Sequence, residues 1–283
     1  MTGIPGKGAV KVALGQFAVA KVWQENAETC VDLIRRAIAE RASLLVLPEG
    51  ILARDIADPD IVLKSAQPLD GPFVTRLAEA TRGSDITVML TIHTPNGAGR
   101  VHNVLIALRD GEIVAAYRKL HLYDAFSAKE STNVQPGDDV PPLVEVAGLK
   151  VGLMTCYDVR FPELARRLAH DGADVLVLPA AWVKGPLKEH HWTVLVTARA
   201  LENTAYVVAV GECGERNIGH SMVVDPLGVV TASAGEAPAL VFAEIDPARI
   251  AHARAVLPAL ANRRFARPEL ANRDANQLPD AAE

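Results

Sequence analysis

The stretch KVGLMTCYDVRFPELARR, residues 150–167, puts a cysteine where an apolar run ends and a proline-led amphipathic run begins. At such a strand-to-helix turn a sulfur can stand clear of the sheet, and backbone N–H groups of the turn can point at a reacting atom. That position suits a thiol nucleophile. A buried structural cysteine is the commoner fate of the residue type, and it fits Cys30 on its helix and Cys213 after its strand. Cys156 differs from both by position. A thiol nucleophile needs a base, commonly histidine. His190 and His191 are candidates, although no asparagine or aspartate partner stands out for them. Glu49 is the rival base. It follows Pro48 at the end of LLVLPEG, a buried strand closed by proline, and an ordinary turn glutamate fits that stretch equally well.

A second segment, VLVLPAAW at 175–182, repeats the pattern of LLVLPEG. In a layered α/β fold, side chains just beyond such strand ends gather at the site crevice. Lys119 lies in AAYRKLHLYDAF, among Leu120, Leu122, Tyr123 and Phe126. Lysines are usually solvated, but an ammonium held in that company would have limited exposure and suit an oxyanion. Gly3-Ile4-Pro5-Gly6-Lys7-Gly8 has the look of a phosphate loop. It precedes the first strand and lacks a following Ser or Thr, so it reads as a flexible end.

The elements that must position these residues alternate along the chain. Strands are predicted at 10–17, 43–47, 86–92, 101–108 and 112–117, with helices at 27–41 and 73–81. Asp110-Gly111 between two strands is a strong hairpin signal. Strands follow at 143–146, 150–155, 174–178, 205–211, 220–224 and 240–245, with helices opening at Pro162 and near 189–203. Buried parallel-type runs mixed with a hairpin predict α/β layers with two sheets. No linker or composition break interrupts the pattern, so residues 1–283 read as a single domain with a core at about 10–265. The tail after Pro268 is polar and reads as fraying.

The 283 residues are 49% hydrophobic with a net charge of −5. No basic run or basic-aromatic stripe points to nucleic acid. No run of about 18 apolar residues would span a membrane. The N-terminus lacks the features of a secretory signal. Three cysteines at wide, irregular spacing fit neither a disulfide framework nor a zinc site, and point to a reducing cytoplasm.

LPEG with Glu49, YRKLHLYD with Lys119 and CYDVRFPE with Cys156 together resemble the Glu–Lys–Cys signature of the nitrilase superfamily of carbon–nitrogen hydrolases. The similarity runs from about Val10 to Phe265 with the three motifs in order, and no motif residue is replaced. The resemblance implies a four-layer α-β-β-α sandwich that dimerises, acting on a small amide with no cofactor and no metal. It implies Cys156 as nucleophile, Glu49 as base, and Lys119 with the Tyr157 N–H as oxyanion holders, assisted by Glu130 in FSAKES. Asp158 and Arg160 are expected to pair with each other or with Glu163 and fix the turn; the second reading of Arg160 is contact with a substrate carboxylate. YRKLHLYDAFSAKES, LPAAWVKGPLKEHHW and GECGERNIGHSMVVDPLGVV further resemble the deaminated glutathione amidase branch. That branch cleaves its substrate to 2-oxoglutarate and cysteinylglycine. Trp182 and the segment 184–191, with its lysines and the paired His190 and His191, would then supply an apolar wall and positive charge for the glycine carboxylate of the peptide part. The alternative is an ω-amidase acting on 2-oxoglutaramate, or another small amide or N-carbamoyl hydrolase.

Overall fold

A computed structural model describes residues 8–126 and 128–271. The predicted flexible end at residues 3–7 and the tail from 272 onward lie outside them. In chain order the strands are β1 (Val10–Gln16), β2 (Leu44–Val46), β3 (Thr87–Pro95), β4 (Val101–Arg109), β5 (Glu112–Arg118), β6 (Val144–Val146), β7 (Leu149–Leu153), β8 (Val175–Ala180), β9 (Tyr206–Gly211), β10 (Met222–Val224), β11 (Val230–Ser233) and β12 (Ala239–Ile245). The helices are α1 (Trp23–Ala39), α2 (Ile61–Lys64), α3 (Pro72–Thr81), α4 (Pro162–His170), α5 (Lys188–Asn203), α6 (Pro247–Val256) and α7 (Ala259–Asn262).

The strands form two six-stranded sheets, ordered β12-β1-β2-β3-β4-β5 and β11-β10-β9-β8-β7-β6. The centre of each is parallel: β1–β2–β3 in one and β7–β8–β9 in the other. Alternation along the strands explains how the sheets pack, because successive side chains point to opposite faces. Val12, Leu14, Leu44, Val46 and Met89 join a core with Val151, Val175, Val177 and Val208 of the second sheet. Their neighbours Ala13, Leu45, Leu47, Val88 and Leu90 pack instead with Ile34 of α1 and Phe73 and Leu77 of α3. On the far side Leu164 and Leu168 of α4 and Trp192 and Val196 of α5 close the second sheet. The result is the expected α-β-β-α sandwich.

The hairpin between β4 and β5 turns at Asp110 (φ 48°) and Gly111 (φ 82°), the pair of positive φ angles that a type I′ turn requires. The turn starts β5, which leads directly into Lys119, a residue 2% exposed. No helix among the described residues is long and apolar enough to cross a membrane.

Candidate active site

The two similar strands meet at their ends. β2 delivers Pro48 and Glu49 from one sheet, and β8 delivers Ala180 and Ala181 from the other. The Ala181 N–H donates to Glu49 Oε2 at 2.9 Å, and the Glu49 N–H donates to the Ala180 carbonyl at 3.4 Å. Glu49 is thus fixed across the sheet interface. Asn103 of β4 donates through Nδ2 to Glu49 Oε1 at 2.8 Å.

Lys119 Nζ donates to Glu49 Oε1 at 2.9 Å and to both oxygens of Glu130, at 3.1 and 2.9 Å. Glu130 opens a 3-10 turn, Glu130–Thr132, and accepts the Tyr123 N–H at 2.6 Å. Burial disfavours the ammonium, but the charges of Glu130 and Glu49 more than offset it and hold Lys119 well above its ordinary range. Burial likewise pushes the Glu49 carboxyl up. Lys119, the Cys156 thiol and the Ala181 N–H together outweigh it and leave Glu49 below its ordinary value.

Cys156 begins a 3-10 turn, Cys156–Arg160, that stands between β7 and α4; the chain does not pass straight from strand to helix. Its φ of 44° is a left-handed conformation that a non-glycine residue adopts only when its surroundings hold it there. The Tyr157 N–H lies in the first turn of that segment, where helical N–H groups have no acceptor within the helix. Burial first, and then the Glu49 charge, raises the Cys156 thiol well above its usual value, against the pull of Lys119. The resting cluster is therefore a thiol beside a carboxylate and an ammonium. Cys30 and Cys213 are also free, buried and raised by burial, Cys213 to about 11, so burial does not single out Cys156. Cys156 differs in lining the cleft with Glu49 and Lys119.

Asp158 and Arg160 do not pair with each other or with Glu163. Asp158 is fully buried and accepts the Tyr117 hydroxyl and the Thr155 N–H on Oδ2, both at 2.8 Å. On Oδ1 it meets the His121 N–H at 3.2 Å and His121 Nδ1 at 2.8 Å. Asp158 finds donors around its own turn and on the segment after β5, so it does not need the arginine. Arg160 turns the other way, with its guanidinium 4.9 Å from the Trp182 ring centre and 3.5 Å from His191 Nδ1.

Glu49, Lys119 and Cys156, each at most 7% exposed, open together onto a cleft of about 320 Å3. Glu130 and Trp182 line it as well; Tyr157, Arg160, His190 and His191 do not. His190 is exposed, and His191 is half-buried behind Trp182 beside Arg160. Trp192 is core: it is fully buried, with Nε1 donating to the His220 carbonyl at 2.8 Å.

Three cleft residues, Asn103, Arg54 and His93, escape a reading of the sequence. Asn103 sits inside an apolar strand as a lone amide, a signal that an inward polar group there needs a buried partner. Arg54 pairs with Glu212 at 2.6 Å and donates to the Glu49 carbonyl at 3.0 Å. His93 is held by burial at about 4, hence neutral. Lys188, within the segment 184–191 expected to supply positive charge, opens α5 and turns into the cleft.

The carbon–nitrogen hydrolase family model matches residues 11–255. The chain is 57% identical to the deaminated glutathione amidase of Escherichia coli O157:H7 over 259 residues, 92% of this chain and 99% of that protein. The crystal structure of Saccharomyces cerevisiae Nit3, a member of branch 10 of the nitrilase superfamily, aligns with a TM-score of 0.81 at 28% identity, covering 94% of this chain and 100% of that one. A mutant amidase from Nesterenkonia sp. AN1, with the acetamide moiety of fluoroacetamide added covalently at its active-site cysteine, aligns at 0.77 and 25% identity over 93% and 97%. With its Glu49–Lys119–Cys156 cluster at the meeting of two sheets, this chain belongs to the carbon–nitrogen hydrolase family of the nitrilase superfamily.

Proposed function

We propose that the protein hydrolyses the amide bond of deaminated glutathione through a thioester on Cys156, giving 2-oxoglutarate and cysteinylglycine. The observation that carries this reading is the buried Glu49–Lys119–Cys156 cluster at the head of an open cleft. It occurs in a chain 57% identical to a deaminated glutathione amidase over nearly the whole length of both.

The chemistry follows from the protonation states. The thiol is not ionised at rest, so its proton passes to Glu49 as the sulfur attacks the amide carbonyl. Lys119 and the Tyr157 N–H hold the developing oxyanion, and because Lys119 is already fixed by two carboxylates it reorganises little during the step. Glu49 then gives the proton to the departing amine as the C–N bond breaks, leaving the acyl group on sulfur. Glu49 next takes a proton from water, which attacks the thioester, and returns it to the sulfur as the acid leaves. Glu130 holds Lys119 in place and faces the substrate amide. Trp182 forms an apolar wall for the leaving peptide, with Arg160, His190 and His191 behind it at the rim.

The protein acts in this reading as a cytoplasmic homodimer. Free thiols fit a reducing compartment. Exposed Val194 and Leu201 on α5, with Val229 and Val230 at the start of β11, offer an apolar face for a second copy.

Deaminated glutathione and 2-oxoglutaramate share one acyl half and differ in the leaving group. The test is therefore the ratio of kcat/KM for the two. Contacts to the peptide should favour deaminated glutathione by roughly 10- to 1000-fold. A ratio favouring 2-oxoglutaramate moves the protein to ω-amidase activity and leaves the mechanism untouched.

A further inference from the structure

Four basic residues line the cleft: Arg54, Lys119, Lys129 and Lys188. Arg54 is paired with Glu212, and Lys119 with Glu49 and Glu130. Lys129 is exposed. Lys188 is 5% exposed, and no carboxylate among the described residues lies within ion-pair distance of it. Burying an ammonium without a counter-ion is costly, so its surroundings should show what compensates it.

They show an aromatic cage. Nζ lies 3.9 Å from the Phe126 ring centre, 5.0 Å from Tyr123 and 5.6 Å from Trp182, within the range of cation–π attraction. Phe126 is held at φ 52°, an unfavourable backbone for a bulky residue, with its ring over the ammonium. The Trp182 indole N–H donates to the Lys188 carbonyl at 2.9 Å and fixes the start of α5 against the wall of the cleft. Among the described residues one acceptor meets the three ammonium hydrogens, the Tyr123 hydroxyl at 2.8 Å. Tyr123 also ties the cage to the chemistry, since its backbone N–H donates to Glu130, the carboxylate that holds Lys119. The free positive charge thus stands one tyrosine away from the reacting cluster.

We infer that Lys188 binds a carboxylate of the substrate and makes the enzyme selective for amides that carry one. This inference rests on the amidase reading but not on deaminated glutathione as the substrate. The aromatic rings hold the ammonium when the cleft is empty, and a carboxylate takes its two remaining hydrogens when the cleft is filled. The carboxylate can belong to the oxo-acid half or to the leaving peptide, and the chemistry at Lys188 is the same.

The test is Lys188→Met, which keeps the apolar stem and removes the charge. kcat/KM is measured for deaminated glutathione, 2-oxoglutaramate and a neutral amide such as propionamide, together with 2-oxoglutarate and cysteinylglycine binding by calorimetry. The ratio of carboxylated to neutral substrate should fall by roughly 10- to 100-fold, the value of a charge-assisted hydrogen bond. A fall for both carboxylated substrates, with lost 2-oxoglutarate binding, assigns Lys188 to the oxo-acid half. A fall for deaminated glutathione alone, with lost cysteinylglycine binding, assigns it to the peptide. An unchanged ratio with product binding intact overturns the inference, as does an equal loss on all three amides in a variant with a wild-type melting temperature. A wild-type enzyme that prefers another carboxylated amide ends the deaminated glutathione reading and leaves Lys188 standing. A wild-type preference for neutral amides overturns Lys188 itself.

Discussion

Asp158 offers the sharpest way to perturb the proposed nucleophile, Cys156, without touching it. Its carboxylate accepts from Tyr117, from the Thr155 N–H and from His121 twice, so it ties the Cys156 turn to the segment that carries Lys119. Asp158→Ala leaves these buried donors without an acceptor, a change that typically costs about 3–5 kcal/mol. At about 2.1 cal/mol/K per residue the unfolding entropy of 283 residues is roughly 0.6 kcal/mol/K, so Tm should fall by about 5–8 °C. Asp158→Asn separates positioning from stability. Its single oxygen serves one side, and in either orientation its amide hydrogens face a backbone N–H, of Thr155 or of His121. The expected stability loss is smaller, about 1–3 kcal/mol. Displacing the nucleophile by an ångström can nonetheless cost on the order of 100-fold in kcat. Calorimetry at pH 7 and steady-state kinetics on the same preparations check both numbers. Wild-type kcat in Asp158→Asn would refute the claim that this carboxylate holds Cys156 in its left-handed conformation.

Other consequences follow from the same cluster. Lys119→Ala should lose about 100- to 1000-fold in kcat, and Lys119→Ala/Cys156→Ala should be no worse than Cys156→Ala, because residues acting as a unit are not additive; near-normal turnover in Lys119→Ala contradicts the assignment. The pH profile of kcat/KM should show no rise between pH 6 and 9, since burial and the Glu49 charge raise the thiol well above its ordinary range and Glu49, the proposed base, is lowered and already ionised; activity climbing with a midpoint near 8.5 would indicate a thiolate nucleophile instead. The Glu49 pKa is lowered on folding, so its share of stability is present above 4.5 and lost as pH falls through the lower folded value. The Lys119 pKa is raised, so its share is present below 10.5 and lost as pH rises through the higher folded value. Urea denaturation across these two windows should show the wild type converging on Glu49→Gln at the acid end and on Lys119→Met at the alkaline end; parallel curves would contradict both shifts.

The framework was legible where apolar pattern and turn chemistry agree. Buried strands ending in Pro48 and Pro179, the Asp110-Gly111 hairpin and Pro162 at the first position of α4 all stand in the sequence. β11 was not, because it is an exposed edge strand with no inward face to impose alternation. α6 carried a readable start, Asp246 capping the Ala248 N–H with Pro247 at the first turn, but its apolar face is weak. Glu49, Lys119 and Cys156 drew attention through position at element ends. The side-chain partners of Asp158, His121 and Tyr117, lie 37 and 41 residues away, and no local rule reports such a contact. The segment 184–191 was legible as a source of positive charge, but which of its lysines is buried was not, because the burial of Lys188 depends on Phe126 and Trp182 arriving from other elements.

The central claim is that Cys156 carries the acyl group between two half-reactions. The direct measurement is intact-protein and peptide mass spectrometry on enzyme quenched in acid during turnover of deaminated glutathione. The account predicts an added oxoglutaryl mass on the peptide containing Cys156, absent from Cys156→Ala, which should also be inactive. Full activity in Cys156→Ala, or the same adduct on Cys30 or Cys213 in its place, would contradict it.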